Sequence, residues 1–145
     1  MTTAIDYQQD FYGWLLESAD LLRKKRFSEL DIEHIAEELE GIARSDKRQL
    51  INRLAVLLAH LLKWQFQPAF RSKSWQRTIK EQRKRIALLL QDSPSLKHEL
   101  DTKVQDAYEI AILSAANETN LDEDIFPSSC EYDIEEILNS EFYPD

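Results

Sequence analysis

Glycine is nearly absent from this sequence, and its scarcity limits the possible folds more than any other feature. Gly13 and Gly41 are the only glycines among 145 residues. So few glycines exclude a glycine-rich phosphate loop, collagen-like repeats and the many tight turns of a β-sandwich. The apolar residues recur at helical spacing, and no stretch shows the period-two alternation of a half-buried strand. The sequence therefore predicts an all-α helical bundle, formed by a single domain over residues 1–145.

Cap residues and apolar stripes predict about four main helices, then a C-terminal strap and one short helix. The predicted caps are Asp6, Asp31, either Ser72 or Ser74, and Ser93 followed by Pro94. The main helices are then about 7–24, 31–66, 72–91 and a fourth from 93 until the polar run 117–120 stops it. Acidic residues from 121 onward form the strap, and Asp133 with Glu136 has the spacing of a capping box for the short helix.

Residues 31–66 are compatible with one continuous helix or with two. Leu39, Leu50 and Leu61 are each eleven residues apart, close to three helical turns, so one straight helix places them on the same side. The polar run 44–48 interrupts the apolar stripe, and a break near 44–48 is the alternative. The predicted core consists of Leu39, Leu50, Leu54, Leu57, Leu61, Trp75, Ile79, Ile86, Leu100, Val104 and Tyr108.

Charge is distributed unevenly along the chain. The net charge is −9, but residues 1–43 carry −6, residues 44–85 carry +10 and residues 86–145 carry −13. Such blocks either neutralise one another within a bundle, which we favour, or bind outside partners. If Ile79 marks the buried centre of the third helix, Lys80, Lys84 and Arg77 lie about 100°, 140° and 160° away, on the outward face. The sequence therefore predicts a phosphate-contact or interaction face at Arg71, Lys73, Arg77, Lys80 and Lys84.

A second candidate is a polar site made of His34, Glu37, Glu38 and His60. His34 precedes the two glutamates by three and four residues, so these three can share one side of a helix, and His60 could join from further along. Carboxylate-bridged dimetal bundles need Glu-x-x-His pairs on two helices, a pattern that this sequence lacks. We therefore expect no metal and no other cofactor. A solvated helix face and a core-edge histidine explain the same residues.

Cys130 is the only cysteine, so an intramolecular disulfide is excluded and a reducing compartment fits best. Its neighbours Glu131 and Asp133 should raise the pKa of the thiol and disfavour a nucleophilic thiolate. No serine lies in a nucleophile-elbow context. The sequence therefore predicts no catalytic residue and no enzyme activity.

Neither a membrane span nor a secretory signal is expected. The most apolar run, Leu54–Leu62, is nine residues long, well short of the roughly 20 needed to cross a bilayer. Met1–Ile5 has no basic region, and Asp6 follows directly. We expect a cytoplasmic protein that does not associate with membranes.

Several short motifs together resemble a known family. They are the run 30–40, His-Leu-Leu-Lys-Trp at 60–64, Ser-Trp at 74–75, Thr-Ile at 78–79, Gln-Arg at 82–83, Ser-Pro-Ser-Leu at 93–96 and Phe-Pro at 126–127. In this combination the chain resembles, from about Tyr7 to Pro144, the bacterial family called domain of unknown function number twenty-nine. The resemblance implies a helical, single-domain bacterial protein. It implies no activity and no functional residue.

Aromatic residues point to an interaction role. Six of them exceed what one small core can enclose, unless they close the ends of the bundle: Tyr7, Phe11, Tyr12, Trp14, Phe66 and Phe70. The predicted function is a non-enzymatic helical protein-interaction module, which self-associates or binds an unknown protein partner. The alternative is a nucleic-acid-associated protein that uses the basic 71–85 helix, although a total charge of −9 disfavours a polyanion.

Overall fold

The computed structural model describes residues 4–145, and within that range it contains helices and no strand. The α-helices are α1 (Phe11–Arg23), α2 (Ile32–Phe66), α3 (Lys73–Asp92), α4 (Lys97–Thr119) and α5 (Ile134–Leu138). Single 3₁₀ turns precede α2, α3 and α4, and a fourth lies in the strap at Glu123–Ile125. The predicted all-α bundle, with four main helices and a short C-terminal one, is confirmed.

Helix α1 begins four residues later than the sequence predicts, and its N-cap is Asp10 instead of Asp6. The Asp10 carboxylate accepts a hydrogen bond from the Gly13 amide at 3.0 Å. A Cβ atom on Gly13 would lie 2.4 Å from an Asp10 carboxylate oxygen, so a larger residue there would require the carboxylate to shift. The Asp6 carbonyl accepts from the amides of Gln9 and Asp10 and forms a separate turn before the helix.

Helix α2 is continuous over 35 residues, which decides between the two interpretations of residues 31–66. Asp31 caps its start as predicted, because the carboxylate accepts from the His34 amide. The polar run 44–48 contains no glycine or proline and consists mostly of residues that tolerate a helix, so it interrupts the apolar stripe without breaking the backbone. Pro68 follows the C-terminus of the helix.

The chain divides into a first unit that ends at Ser45 and a second unit, Asp46–Asp145. The single domain over 1–145 therefore stays a prediction. The core lies in the second unit, where α2, α3 and α4 contribute most of the side chains and the C-terminal region adds Phe126 and Ile137. In the described part of the first unit, the buried residues are Trp14 and Ser18.

Two residues of the predicted core lie outside it. Leu39 belongs to the first unit and is 63% exposed, since the core side chains of α2 begin at Leu50. Trp75 lies in the first turn of α3 and is only half-buried. Val104 packs against the core from its edge, and the other predicted core residues are buried.

The predicted start of the fourth helix at Ser93 is wrong, because Pro94–Leu96 form a 3₁₀ turn, the Ser93 side chain makes no capping hydrogen bond and α4 begins at Lys97. Caps mark three other boundaries. The Ser72 hydroxyl accepts from the Trp75 amide at 3.2 Å, which selects Ser72 over Ser74 as the cap of α3. Helix α4 ends at Thr119, where Asn120 adopts a left-handed backbone with φ of 61°. The capping box between Asp133 and Glu136 is present at the start of α5.

Candidate interaction surfaces

Three cations of α3 form the exposed basic face that the helical spacing predicts. Ile79 is completely buried, and Arg77, Lys80 and Lys84 are exposed on the other side of the helix. We call these three residues the basic face. Within residues 4–145, the ion pairs closer than 4 Å do not include any of them. Lys73 is also exposed, in the first turn of α3.

Arg71 differs from the basic face because the fold uses its guanidinium. Nε donates to the Trp64 carbonyl at 2.8 Å, and Nη2 lies 3.4 Å from the Pro144 carbonyl. The group also lies over the Trp64 ring, 5.0 Å from its centre. Arg71 therefore holds the C-terminal residues, a role that the sequence-based grouping with Lys73 did not indicate.

Acidic residues of the last region neutralise only part of the basic middle. Lys47 pairs with Glu99 at 3.3 Å, and Lys63 pairs with Glu118 at 2.5 Å. Both cations belong to α2 and both acids to α4. The expected internal neutralisation is thus present between α2 and α4, and the basic face of α3 takes no part in it.

A groove of about 680 Å³ runs beside the basic face, between α3 and the end of α5. Its lining residues are Arg77, Lys80, Glu81, Arg83, Lys84, Ala87, Leu138 and Ser140. Ala87 and Leu138 give it an apolar floor, and the three cations of the basic face lie along it. Glu81 is the one acid among the described lining residues, and Arg85 Nη2 lies 3.4 Å from its carboxylate. The groove therefore combines an apolar floor with a positively charged edge.

Arg83 positions the α5 side of this groove. It is buried, with its Nε donating to the Ile137 carbonyl at 2.8 Å and its Nη2 to the Phe142 and Glu136 carbonyls at 2.9 and 3.3 Å. Its guanidinium lies 5.6 Å from the centre of the Tyr143 ring. Burial lowers the pKa of Arg83, but a guanidinium stays protonated in proteins.

The sequence analysis assigned no role to Arg83, although the spacing of apolar residues on α3 indicates that Arg83 is buried. It follows Ile79 by four residues and precedes Ile86 by three, so it lies in the buried row of α3. A cation in such a row needs acceptors. The Glu136 and Ile137 carbonyls at the end of α5 supply two of them, since the last carbonyls of a helix have no partner within it. The Phe142 carbonyl, beyond α5, supplies the third.

Lys63 and His60 form a second polar cluster at the edge of the core. The Lys63 Nζ lies 3.4 Å from His60 Nε2 and 5.1 Å from the centre of the Trp75 ring, besides its pair with Glu118. His60 Nδ1 lies 2.9 Å from the Val56 carbonyl, which can only accept, so the tautomer inferred from these contacts carries its proton on Nδ1. Burial lowers the pKa of His60. A neutral ring then accepts a hydrogen bond from Lys63.

His34 has different partners, all in the first unit. Its Nδ1 lies 2.5 Å from an Asp31 carboxylate oxygen, and its ring stacks on Tyr7 at a centroid distance of 4.1 Å. The Trp14 ring meets it edge-on at 6.4 Å. The hydrogen bond to Asp31 raises the pKa of His34 and lowers that of Asp31. The Tyr7 hydroxyl donates to Glu38, and this bond is the main cause that raises the pKa of Tyr7 to about 12, with burial and the nearby acids adding to it.

The four residues of the predicted polar site do not share one set of contacts. Glu38 bonds to Tyr7 and Glu37 is exposed, whereas His60 lies in the second unit with Lys63. Among residues 4–145, no three His, Cys, Asp or Glu side chains are arranged to hold a metal ion.

Exposed apolar side chains concentrate in the first unit. On α2, Ile32, Leu39 and Ile42 are 64%, 63% and 62% exposed. On α1, the side chains of Phe11, Tyr12, Leu15, Leu16 and Leu22 are exposed as well. Of the six aromatic residues singled out from the sequence, Trp14 is buried, and Phe66 packs edge-on against Phe126 at 5.4 Å. The prediction of exposed aromatics therefore holds for Phe11, Tyr12 and Phe70.

Cys130 is half-buried, with its Sγ donating to the Tyr132 carbonyl at 3.4 Å. The pKa of its thiol is raised as expected, but mainly by burial. Glu131 contributes, and the second acid is Glu136 in place of the predicted Asp133. A raised pKa disfavours the thiolate.

Comparisons with known proteins give one finding about this chain. No curated protein and no solved structure matches it significantly. No helix within residues 4–145 has the length and apolar character of a membrane span. The model of one protein family, described as domain of unknown function DUF29, matches residues 7–143. The chain therefore belongs to the DUF29 family.

Proposed function

We propose that this protein is a non-enzymatic, helical protein-interaction module that associates with a second copy of itself through the first half of α2. The observation that carries the proposal is the exposure of Ile32, Leu39 and Ile42, each above 60%. Large aliphatic side chains in such a concentration mark interaction surfaces. We call Ile32, Ile35, Leu39 and Ile42 the α2 stripe.

The spacing of the α2 stripe suits pairing with another helix. Its members follow one another by three, four and three residues, the alternation of the a and d positions of a heptad. Measured from Leu39 at about 100° per residue, the other three lie within about 60°. Two such stripes can interdigitate as knobs into holes and bury the apolar surface that one copy exposes.

The charges of α2 are compatible with a second copy as the partner. Glu33, Glu37 and Glu40 lie about 100° to 160° from Leu39, on the far side of the helix. Ala36 and Ala43 flank the stripe and permit close approach. The same face serves both copies in a two-fold interface, so like charges at its centre would oppose pairing. The α2 stripe contains no charged residue.

Sedimentation equilibrium over a range of micromolar concentrations tests the proposal. We expect a mass that rises with concentration above the 17.0 kDa of one chain. Leu39→Gln with Ile42→Gln should abolish the rise, and the control Glu37→Gln with Glu40→Gln should preserve it. All four side chains are exposed, so both double variants should keep the helical circular dichroism of the parent. A constant single-chain mass for the unmodified protein would overturn self-association.

We further propose that the protein acts in the bacterial cytoplasm. The single cysteine supports a reducing compartment, where disulfides are rare. Nucleic-acid association through the basic 71–85 helix is the weaker candidate function. None of the described residues that line the groove beside α3 is aromatic, so that groove has no platform on which a base could stack.

A further inference from the structure

We propose that the groove between α3 and α5 binds an acidic, amphipathic peptide segment of a partner protein. Two features of the groove select this ligand chemistry. Arg77, Lys80 and Lys84 offer three cations along one edge, and Ala87 with Leu138 offers an apolar floor. A segment that carries carboxylates on one side and aliphatic side chains on the other matches both.

The three cations of the basic face are available for an outside partner. Other cations of the basic middle are engaged within the fold, as Lys47 and Lys63 are by acids and Arg71 by carbonyls. The basic face lacks such a contact within the described residues, despite fifteen acidic residues in 86–145. Electrostatic complementarity would therefore steer an anionic segment to this side of α3.

The floor is fixed before a ligand arrives. Leu138 ends α5, and the three carbonyl contacts of Arg83 hold the adjoining backbone. Tyr143 packs on Trp64 at a centroid distance of 4.9 Å and helps to hold the residues that follow. A preformed groove saves the entropy cost of ordering a loop on binding.

A peptide fits these observations better than a nucleic acid. Strong binding of single strands combines a basic groove with aromatic rings that stack on bases, and the described lining supplies no ring. A long polyanion is also repelled by the net charge of −9 and by the acidic last region. A short segment with a few carboxylates meets the local cations without extending over the acidic surface.

Fluorescence anisotropy with defined peptides tests this proposal. The first probe is a labelled helix-forming peptide of glutamate and leucine, about 12 residues or about 18 Å long. A glutamine–leucine peptide removes the charge, and a glutamate-only peptide removes the apolar side. A labelled single-stranded RNA and a duplex DNA are measured beside them. We expect the glutamate–leucine peptide to bind most tightly and to weaken as salt is raised.

Matched variants then assign the binding to the groove. Replacing the basic face, Arg77→Gln with Lys80→Gln and Lys84→Gln, should weaken peptide binding about tenfold or more, since three exposed ion pairs are lost. The control replaces three exposed cations elsewhere, Arg44, Arg48 and Lys97, by glutamine and alters the net charge equally. It should change binding less than about twofold. Ala87→Gln partly fills the groove and should weaken the glutamate–leucine peptide without removing charge.

Three results would overturn the proposal. One is no binding of the glutamate–leucine peptide at low salt. Another is tighter binding of RNA or DNA than of any peptide, which would assign the basic face to nucleic acid. The third is equal binding of the glutamate-only peptide with no effect of Ala87→Gln, which would reduce the interaction to unspecific charge attraction. None of these outcomes depends on self-association through the α2 stripe. That self-association is tested separately by the double variant Leu39→Gln with Ile42→Gln.

Discussion

Replacement of Arg83 by methionine tests how the C-terminal residues are held against α3. The guanidinium makes two short hydrogen bonds, to the carbonyls of Ile137 and Phe142 at 2.8 and 2.9 Å, and a longer one to Glu136 at 3.3 Å. Methionine keeps most of the aliphatic stem and its packing but donates no hydrogen bond. The variant therefore removes the donors from the Ile137 and Phe142 carbonyls, whereas the Glu136 carbonyl still accepts from the Asn139 amide at 3.3 Å.

The expected loss of stability follows from these contacts. A hydrogen bond from a charged donor contributes about 1.5–3 kcal/mol. The three bonds share one side chain, so their contributions are not additive, and water can reach some of the freed carbonyls. The contact with the Tyr143 ring adds about 0.5–1 kcal/mol. We expect Arg83→Met to lower the free energy of unfolding by about 3–5 kcal/mol, in the range found for breaking buried charged networks.

Urea unfolding followed by circular dichroism measures this loss, with Arg85→Met as the control. Arg85 is exposed and, among residues 4–145, pairs only with Glu81, one turn away, so its replacement should cost less than about 0.5 kcal/mol. Limited proteolysis gives an independent local readout, because a released C-terminal segment should be cleaved after residue 138. A loss below about 1 kcal/mol, together with unchanged protection of that segment, would refute the role assigned to Arg83.

Three further predictions concern the core, the histidines and metal ions. Leu57→Ala should cost about 2–5 kcal/mol in urea unfolding, because Leu57 is fully buried and its loss leaves a cavity; a cost below about 1 kcal/mol would contradict its place in the core. Histidine NMR should give His60 a pKa below 6.5 and His34 a pKa above it, and Asp31→Asn should return His34 toward 6.5. The unfolded chain binds more protons than folded His60, so that contribution to stability is complete above about pH 6.5 and is lost as pH falls through the folded pKa. The contribution of His34 has the opposite sign, complete below about pH 6.5 and lost as pH rises through the folded pKa. Excess zinc, manganese or ferrous iron should leave the melting temperature unchanged; a rise of several degrees that His34→Ala abolishes would establish a metal site.

Local signals in the sequence were sufficient for most of the helical framework. Asp31, Ser72 and the capping box at Asp133 mark helix starts because each cap depends on backbone groups within three residues. The same locality explains the error at α1, where Asp6 and Asp10 both offer a carboxylate before the helix. The structure uses Asp10, whose carboxylate accepts from the Gly13 amide, whereas the Asp6 carboxylate accepts from the Gln8 amide in the preceding turn.

The contacts that define the candidate surfaces depend on residues far apart in the chain, so periodicity alone did not predict them. Arg83 meets carbonyls more than 50 positions later, and only the placement of α5 beside α3 shows that these carbonyls are within reach. The prediction that Leu39 belongs to the core was wrong for a related reason. Its spacing from Leu50 and Leu61 is that of one side of a helix, but helical spacing does not show how far along the helix the core extends.

The charges of the sequence regions show the same limit, because they do not indicate which cations pair within the fold. The three cations of the basic face, which form no ion pair within residues 4–145, lie beside the groove. The sequence shows that residues 44–85 carry +10 and that the following region carries −13, from which mutual neutralisation is a reasonable expectation. The structure realises it where α2 faces α4, through Lys47 with Glu99 and Lys63 with Glu118. The outward side of α3 faces neither helix, because Ile79 and Ile86 turn the opposite side to the core. A net negative charge of the whole chain therefore coexists with a local surplus of cations, and that surplus lies beside the apolar floor of the groove.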